Sequence, residues 1–327
     1  MTNLNIAIIG AGLAGLTAAR KLGPHATVRV FEKSRGLGGR LATRYADPYQ
    51  FDHGTQHFTA KTPEFQAGIE SWLQAGIIEQ WNARFVEMER SSIIARRRWD
   101  DEFPHYVGAP KMNVIGKHVA QGLDVQTSCR VETIQKQGQQ WQLLNEQGED
   151  LGHYDWVICA APAQQAADLM PDMFAHKAAL AQAPLLGCFA TMLGFKQPLP
   201  LDWDAALIKQ ADISWISVNS AKPARETDFS LVVHATNAWA EAHMEDAPEA
   251  AQAHQLQEIS DVIGHDVHKA EHIVTHRWRY ANIGKQTGPQ AYIDDANQLI
   301  ACGDWCIHGR VEAAFLSGKA AADHFAA

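Results

Sequence analysis

Residues Asn5-Ile6-Ala7-Ile8-Ile9-Gly10-Ala11-Gly12-Leu13-Ala14-Gly15 read as a short apolar strand running straight into a tight glycine turn. The apolar stretch Leu13 to Leu22 predicts a helix, and Val28-Arg29-Val30-Phe31 a second strand that ends at Glu32. Strand, glycine turn, helix, strand and acid, in that order, make a dinucleotide-binding βαβ unit. Gly10 permits the turn, Gly12 lets the backbone approach a pyrophosphate, and Gly15 lets the helix pack closely on the sheet. Ala11, Leu13 and Ala14 complete the loop whose free N–H groups, at a helix N-terminus, face the anion. Glu32 is placed to accept hydrogen bonds from ribose hydroxyls, with Lys33 beside it.

A second glycine motif follows at once: Lys33-Ser34-Arg35-Gly36-Leu37-Gly38-Gly39-Arg40. Gly38 and Gly39 let the chain pass close to phosphate, and Arg40 can offer a charged fork to its oxygens. Near the other end, Ala301-Cys302-Gly303-Asp304 closes a strand, and Gly309-Arg310-Val311-Glu312 opens the last helix. Together these blocks resemble the flavin amine oxidase superfamily. The resemblance implies FAD, with Asp304, after Gly303, bonding the ribityl chain. It also implies that the helix N-terminus at Val311 faces the flavin N1–C2=O edge, where it would stabilise anionic reduced flavin. Val131 would meet the adenine end through backbone groups, and His57 would lie beside the flavin. One glycine precedes Asp304 where some relatives carry two. No cysteine between Cys188 and Cys302 is available for a covalent flavin link, so the FAD is expected to be non-covalent.

Composition agrees with a soluble enzyme. The chain has 327 residues, 46% of them hydrophobic and 20% charged, enough for two domains and a sizeable core. A formal net charge of −9 argues against nucleic acid or an anionic membrane as partner. The five cysteines, Cys129, Cys159, Cys188, Cys302 and Cys306, form neither a disulfide framework nor a zinc-type pair, so no metal is expected. No apolar run reaches transmembrane length, and the first strand lies within a few residues of Met1, which together suggest a cytoplasmic protein.

Thr62-Pro63-Glu64 starts a helix reaching about Gln74, and residues 77 to 99 look strand-rich. Lys111 to Gln121 predicts a helix, Val125 to Ile134 and Trp141 to Leu144 strands, and Asp155 to Pro162 a buried strand followed by a helix. Residues 185 to 195, 213 to 218 and 230 to 236 read as strands, and Pro248 to Ile263 as a helix. Cofactor pieces thus alternate with other material. The expected fold is α/β: a Rossmann-type FAD-binding domain (residues 1–60, 100–165 and 275–327) interleaved with a mixed-sheet α+β substrate domain (61–99 and 166–274).

The branch is narrowed by what is missing. Monoamine and polyamine oxidases carry a lysine near flavin N5, toward the end of a central strand. Placing Leu193-Gly194-Phe195-Lys196-Gln197-Pro198 at that strand's end puts Ala190 there, and no lysine lies between Lys177 and Lys196. Other blocks resemble the renalases: Asp52-His53-Gly54-Thr55-Gln56-His57-Phe58-Thr59, Ile216-Ser217-Val218-Asn219, Leu231-Val232-Val233-His234-Ala235-Thr236 and Arg277-Trp278-Arg279-Tyr280. That resemblance implies Gln56, Asn219, His234 and Trp278 as the catalytic positions. It implies oxidation of isomeric (2- or 6-) dihydro-NAD(P) to NAD(P)+, with electrons passing to O2 to form H2O2. A dihydropyridine becomes aromatic by losing hydride alone, so no base is required, which suits a site without an obvious lysine and with few carboxylates. A flavin amine oxidase of unknown amine substrate is the alternative. The run Arg96-Arg97-Arg98 reads either as a solvated strand edge or as a holder of substrate phosphates.

Overall fold

The computed structural model describes residues 4–226 and 228–326. Among these the chain divides into two compact units. The first comprises the chain up to Leu41, Ile115–Leu185 and the chain from Asn282; the second is Ala42–Val114 with Leu186–Ala281. Each unit is assembled from separated stretches of the chain. Residues 42–60, 100–114 and 275–281 pack with the second unit, and 166–185 with the first.

The first unit is built on a sheet whose order is Ala291–Asp294, Leu299–Cys302, Trp156–Cys159, Leu4–Ile9, Ala26–Phe31, Asp124–Gln126. Every neighbour pair is parallel except the first. Ile6, Ala7 and Ile8 are fully buried, as continuous apolar strands of a parallel sheet covered on both faces must be. The helix Leu13–Leu22 and the last helix, Val311–Asp323, approach so closely that a Cβ on Gly318 would lie 2.1 Å from the Ala14 carbonyl oxygen. A separate antiparallel sheet, Val131–Gln137, Gln140–Asn145 and Asp150–Tyr154, completes this unit.

The second unit is a mixed sheet ordered His272–Asn282, Leu186–Gly194, Ser230–Ala235, Ile213–Val218, Ala205–Lys209, Arg84–Glu89, Ser92–Arg98. The helix Pro248–Ile263 starts on its proline and ends at Gly264 in the left-handed region (φ 71°). It packs Leu256, Ile259 and Val262 with Ile213, Ile216, Leu231 and Val233 of the sheet in one apolar core. Thr62 caps the helix Pro63–Gln74 by accepting from Phe65 N–H at 3.3 Å.

Two elements differ from the pattern-based expectation. The strand expected over Val125 to Ile134 is broken in two, Asp124–Gln126 and Val131–Gln137, with Ser128 at φ 53° between them. The helix expected over Lys111 to Gln121 is only Val114–Val119. The eleven-residue strand His272–Asn282 carries no run of buried residues, so alternation gave no signal for it. Among the described residues no helix is long and apolar enough to cross a membrane, and all five cysteines are buried and unpaired.

Candidate functional site

In the first unit the glycine motifs take the shapes their residues require. Gly10 sits at φ 106°, donates its N–H to the Phe31 carbonyl at 2.8 Å, and turns the chain from strand into helix. A Cβ on Gly15 would lie 2.0 Å from the Gly10 carbonyl oxygen, so any side chain there pushes the helix off the turn. Gly12 is the N-cap of Leu13–Leu22 with no side-chain cap, and nothing lies within 4 Å of where its Cβ would be. Ala11, Leu13 and Ala14 are buried around it. Helix N–H groups without a cap, beside open space, suit a phosphate.

The second glycine loop returns to the first. Gly38 donates to the Ala11 carbonyl at 2.8 Å and forms a parallel bridge with Gly12. Gly38 and Gly39 both have positive φ, 95° and 57°. The Glu32 carboxylate accepts from the Ala11 and Ser34 N–H groups, each at 2.8 Å. The chain leading to Val131 is tied alongside, by Ser128 N–H to the Ser34 carbonyl (3.0 Å) and Cys129 N–H to the Glu32 carbonyl (2.9 Å). Val131 is therefore held on the Glu32 side of the unit. Lys33 reaches the Gln165 side chain at 2.9 Å, and burial lowers its pKa.

Arg40 and Asp304, expected at different parts of the cofactor, meet: the guanidinium forks onto the carboxylate, one arm at 2.8 Å. Asp304 is almost fully buried in this pair while Arg40 keeps some exposure. Gly303 is fixed from behind by its N–H bond to Ser317 Oγ (2.8 Å) and by the Trp305 indole packed against it. The last helix begins at Val311 with no side-chain cap. The donor set fits FAD: two uncapped helix N-termini, a ribose acid, a phosphate-approach loop and a buried acid–arginine pair.

In the second unit three of the four expected catalytic residues meet at the backbone of residues 52–54. The Trp278 indole N–H donates to the His53 carbonyl at 3.0 Å, and His234 Nε2 lies 3.3 Å from the same oxygen. Gln56 places its amide nitrogen against the Asp52 and Gly54 carbonyls and 3.3 Å from His234 Nε2. Trp278 stacks on the His53 ring at 5.2 Å. Asn219 does something else. It is 1% exposed, donates to the Gln50 carbonyl (2.7 Å) and accepts from Asp52 N–H (3.3 Å), so it clamps the strand Tyr49–Phe51 to the Asp52 turn.

Under these residues lies a buried charge cluster. Asp52 accepts from Arg225 (2.6 Å), Thr43 (2.7 Å) and the Met112 N–H (2.9 Å), with Lys222 Nζ at 3.5 Å. The two cations hold the Asp52 carboxyl below the ordinary range against the opposing pull of burial. Lys222, enclosed, has its pKa lowered to about 8 by burial, partly offset by Asp52. Its Nζ also reaches Gln56 Oε1 at 3.3 Å. This corrects the expectation of a site without a lysine: Lys222 and Asp52 both touch Gln56. The search for a lysine on the strand before Lys196 did not reach Lys222, which follows the short helical turn Asn219–Ala221. A lysine three positions after the singled-out Asn219 was the available signal.

The histidines here are neutral. Burial, helped by neighbouring charge, lowers His53 and His234 to about 4 and His57 to about 3. His57 lies in the second unit, packed among Trp99, His105 and Trp215 with ring centroids 4.7–5.1 Å away. The arginine run is an edge. Arg96 pairs with Asp202 (2.9 Å) and Arg97 with Glu87 (3.6 Å) on the outermost strand, all three arginines being exposed. Away from these clusters, Asp212, His254 and Glu258 bring one potential metal-ligand atom each within 4.8 Å of one another, which cysteine spacing could not have revealed.

The sequence matches the family model described as flavin containing amine oxidoreductase over residues 81–325, and an NAD(P)-binding Rossmann-like domain over residues 8–70. In structure it is similar to a candidate protoporphyrinogen oxidase from Exiguobacterium sp. 255-15, with TM-score 0.77, 12% identity and 99% of each chain covered. It is also similar to putrescine oxidase bound to putrescine, with TM-score 0.71, 15% identity and 99% of each chain covered. At these identities the likeness concerns the fold. Among curated proteins it is 35% identical over 71 residues to coproporphyrinogen III oxidase of Mycobacterium tuberculosis (strain ATCC 25618 / H37Rv), a stretch covering 20% of this chain and 16% of that relative. With a family match spanning most of the chain and a first unit shaped for its cofactor, the chain belongs to the flavin-containing amine oxidoreductase family and is an FAD-dependent oxidoreductase.

Proposed function

We propose that this oxidoreductase takes hydride from dihydro-NAD(P) isomers that carry it at ring position 2 or 6, releasing NAD(P)+, with O2 as final acceptor and H2O2 as product. Bound FAD supplies the hydride acceptor and the route of electrons to O2. The residues that would hold it are Gly10 to Gly15, Glu32, Gly38 to Arg40, Asp304 and the start of the last helix.

The observation that carries this reading is that, among the described side chains, neither the carboxylate nor the histidines at the Gln56–His234–Trp278 cluster are free bases matched to neutral pH. Asp52 is consumed by four donors, and His53 and His234 are held neutral near 4, too weakly basic to take a proton effectively at pH 7. A donor that loses only hydride needs no such group. The chain's part is then to bind and orient: Trp278 offers an apolar wall, and Gln56 and Asn219 fix the backbone of residues 50–54 to which its indole bonds.

Lys222 favours a second reading. An amine drawn down to about 8 can take a proton, as oxidation of a substrate amine would require. The pH dependence of anaerobic flavin reduction separates the two. Hydride loss from a dihydropyridine gives a rate that is flat through pH 8. A rate that climbs with pH through the Lys222 transition, and loses that climb in Lys222→Met, supports the amine reading.

A further inference from the structure

The hydrogen bonds around Gln56 determine which nitrogen of His234 carries its proton. Below its transition Lys222 is an ammonium and can only donate, so the Gln56 atom it meets at 3.3 Å is the amide oxygen. Ser217 Oγ donates to the same oxygen at 2.8 Å. The Gln56 NH2 group therefore faces the other way, and its two hydrogens meet the carbonyls of Asp52 and Gly54. Neither hydrogen is left for His234 Nε2, although that nitrogen lies 3.3 Å away. The remaining neighbour of Nε2 is the His53 carbonyl oxygen, an acceptor. A bare Nε2 lone pair facing that oxygen would be repelled, whereas an Nε2–H is satisfied. The His53 carbonyl has two lone pairs, and the Trp278 N–H takes the other at 3.0 Å.

We propose that His234 is fixed as the Nε2–H tautomer, leaving Nδ1 as a bare acceptor that selects a substrate group bearing N–H. The neutrality of this half-buried ring at pH 7 agrees, since an imidazolium would carry a proton on both nitrogens. Gln56 is a positioning residue: it touches the ring without a hydrogen to give it, and so denies Nε2 the acceptor role. The selectivity half rests on the function proposed above. A primary carboxamide can donate N–H to Nδ1, while the carboxylate of a nicotinic acid analogue sets two acceptors against each other. The site should therefore favour dihydronicotinamide over dihydronicotinic acid dinucleotides by about tenfold or more, the loss of one hydrogen bond plus an unpaired acceptor.

The test is long-range 1H–15N correlation on the 15N-histidine-labelled, FAD-loaded protein, with His234→Gln used to assign the signal. A protonated, pyrrole-type Nε2 and pyridine-type Nδ1 at pH 7 are expected; a pyrrole-type Nδ1 overturns the proposal. Anaerobic flavin reduction is then compared between the 6-dihydro isomers of NAD and of nicotinic acid adenine dinucleotide. Equal rates and equal dissociation constants overturn the selectivity. Should neither compound, nor the corresponding 2-dihydro isomers, reduce the flavin, the function proposed above falls, and the selectivity with it. The tautomer is still decided by the NMR spectrum.

Discussion

The two units hold their chemistry in opposite ways. The first works with backbone: Gly10, Gly12, Gly38 and Gly39 bring main-chain N–H groups and open space to one place, and its charged side chains, Glu32, Arg40 and Asp304, point at groups that a cofactor also satisfies. The second works with enclosed side chains: Asp52, Lys222, Arg225, Gln56 and Ser217 satisfy one another under a layer of neutral histidines. Damage to the first should therefore show as lost cofactor from a folded protein. Damage to the second should show as lost stability.

Asp52 is where that contrast can be broken most visibly. Asp52→Ala strands two buried cations, and removing one partner from a buried ion pair costs about 3–5 kcal/mol. The midpoint of urea unfolding should fall accordingly, while Asp202→Ala, which releases the exposed Arg96, should cost under about 1 kcal/mol. Equal, small losses for both would mean that the Asp52 cluster is wet. Because Asp52 is depressed below its unfolded pKa, its contribution is present above that unfolded value and disappears as pH falls through the folded one.

In the first unit, Glu32→Gln should weaken FAD retention by about 1.5–3 kcal/mol, the worth of hydrogen bonds to a charged group, beyond the stability lost by setting an NH2 donor against the Ala11 or Ser34 N–H. Flavin content after gel filtration is the readout. A folded variant that keeps full flavin would remove Glu32 from the cofactor's holders.

The histidine layer gives an effect that is smaller per pH unit and has a definite sign. His234 titrates near 4 in the folded chain against about 6.5 unfolded, so the unfolded state binds more protons between those values. Stability is then full above pH 6.5 and falls by about 1.4 kcal/mol per unit as pH drops toward 4. His234→Gln should flatten the measured slope by that amount. An unchanged slope would show that His234 is solvated.

What was legible in the sequence follows the same division. The Gly10–Gly15 turn, Glu32, the Gly38–Arg40 loop and the Gly303–Asp304 corner could be recognised because each is a local backbone demand that few residue types meet. The cluster of the second unit was half legible. His234 and Trp278, which came from resemblance, both meet the His53 carbonyl, Gln56 meets the carbonyls on either side of it, and Asn219 is clamped to backbone. Asp52 was quoted only as part of a resembling block, and Lys222 and Arg225 went unremarked, since charges on two distant segments look like solvated surface until packing encloses them. The split of Val125–Ile134 at Ser128 was missed because one residue at positive φ leaves no mark on an apolar pattern.

Anaerobic mixing of the FAD-loaded protein with single donors tests the central claim most directly. The account predicts that 2- or 6-dihydro-NAD(P) bleaches the flavin absorbance within one turnover, releasing one NAD(P)+ per flavin, and that putrescine and simple amines leave it unchanged. Bleaching by an amine, with no response to either dihydronicotinamide isomer, would contradict it.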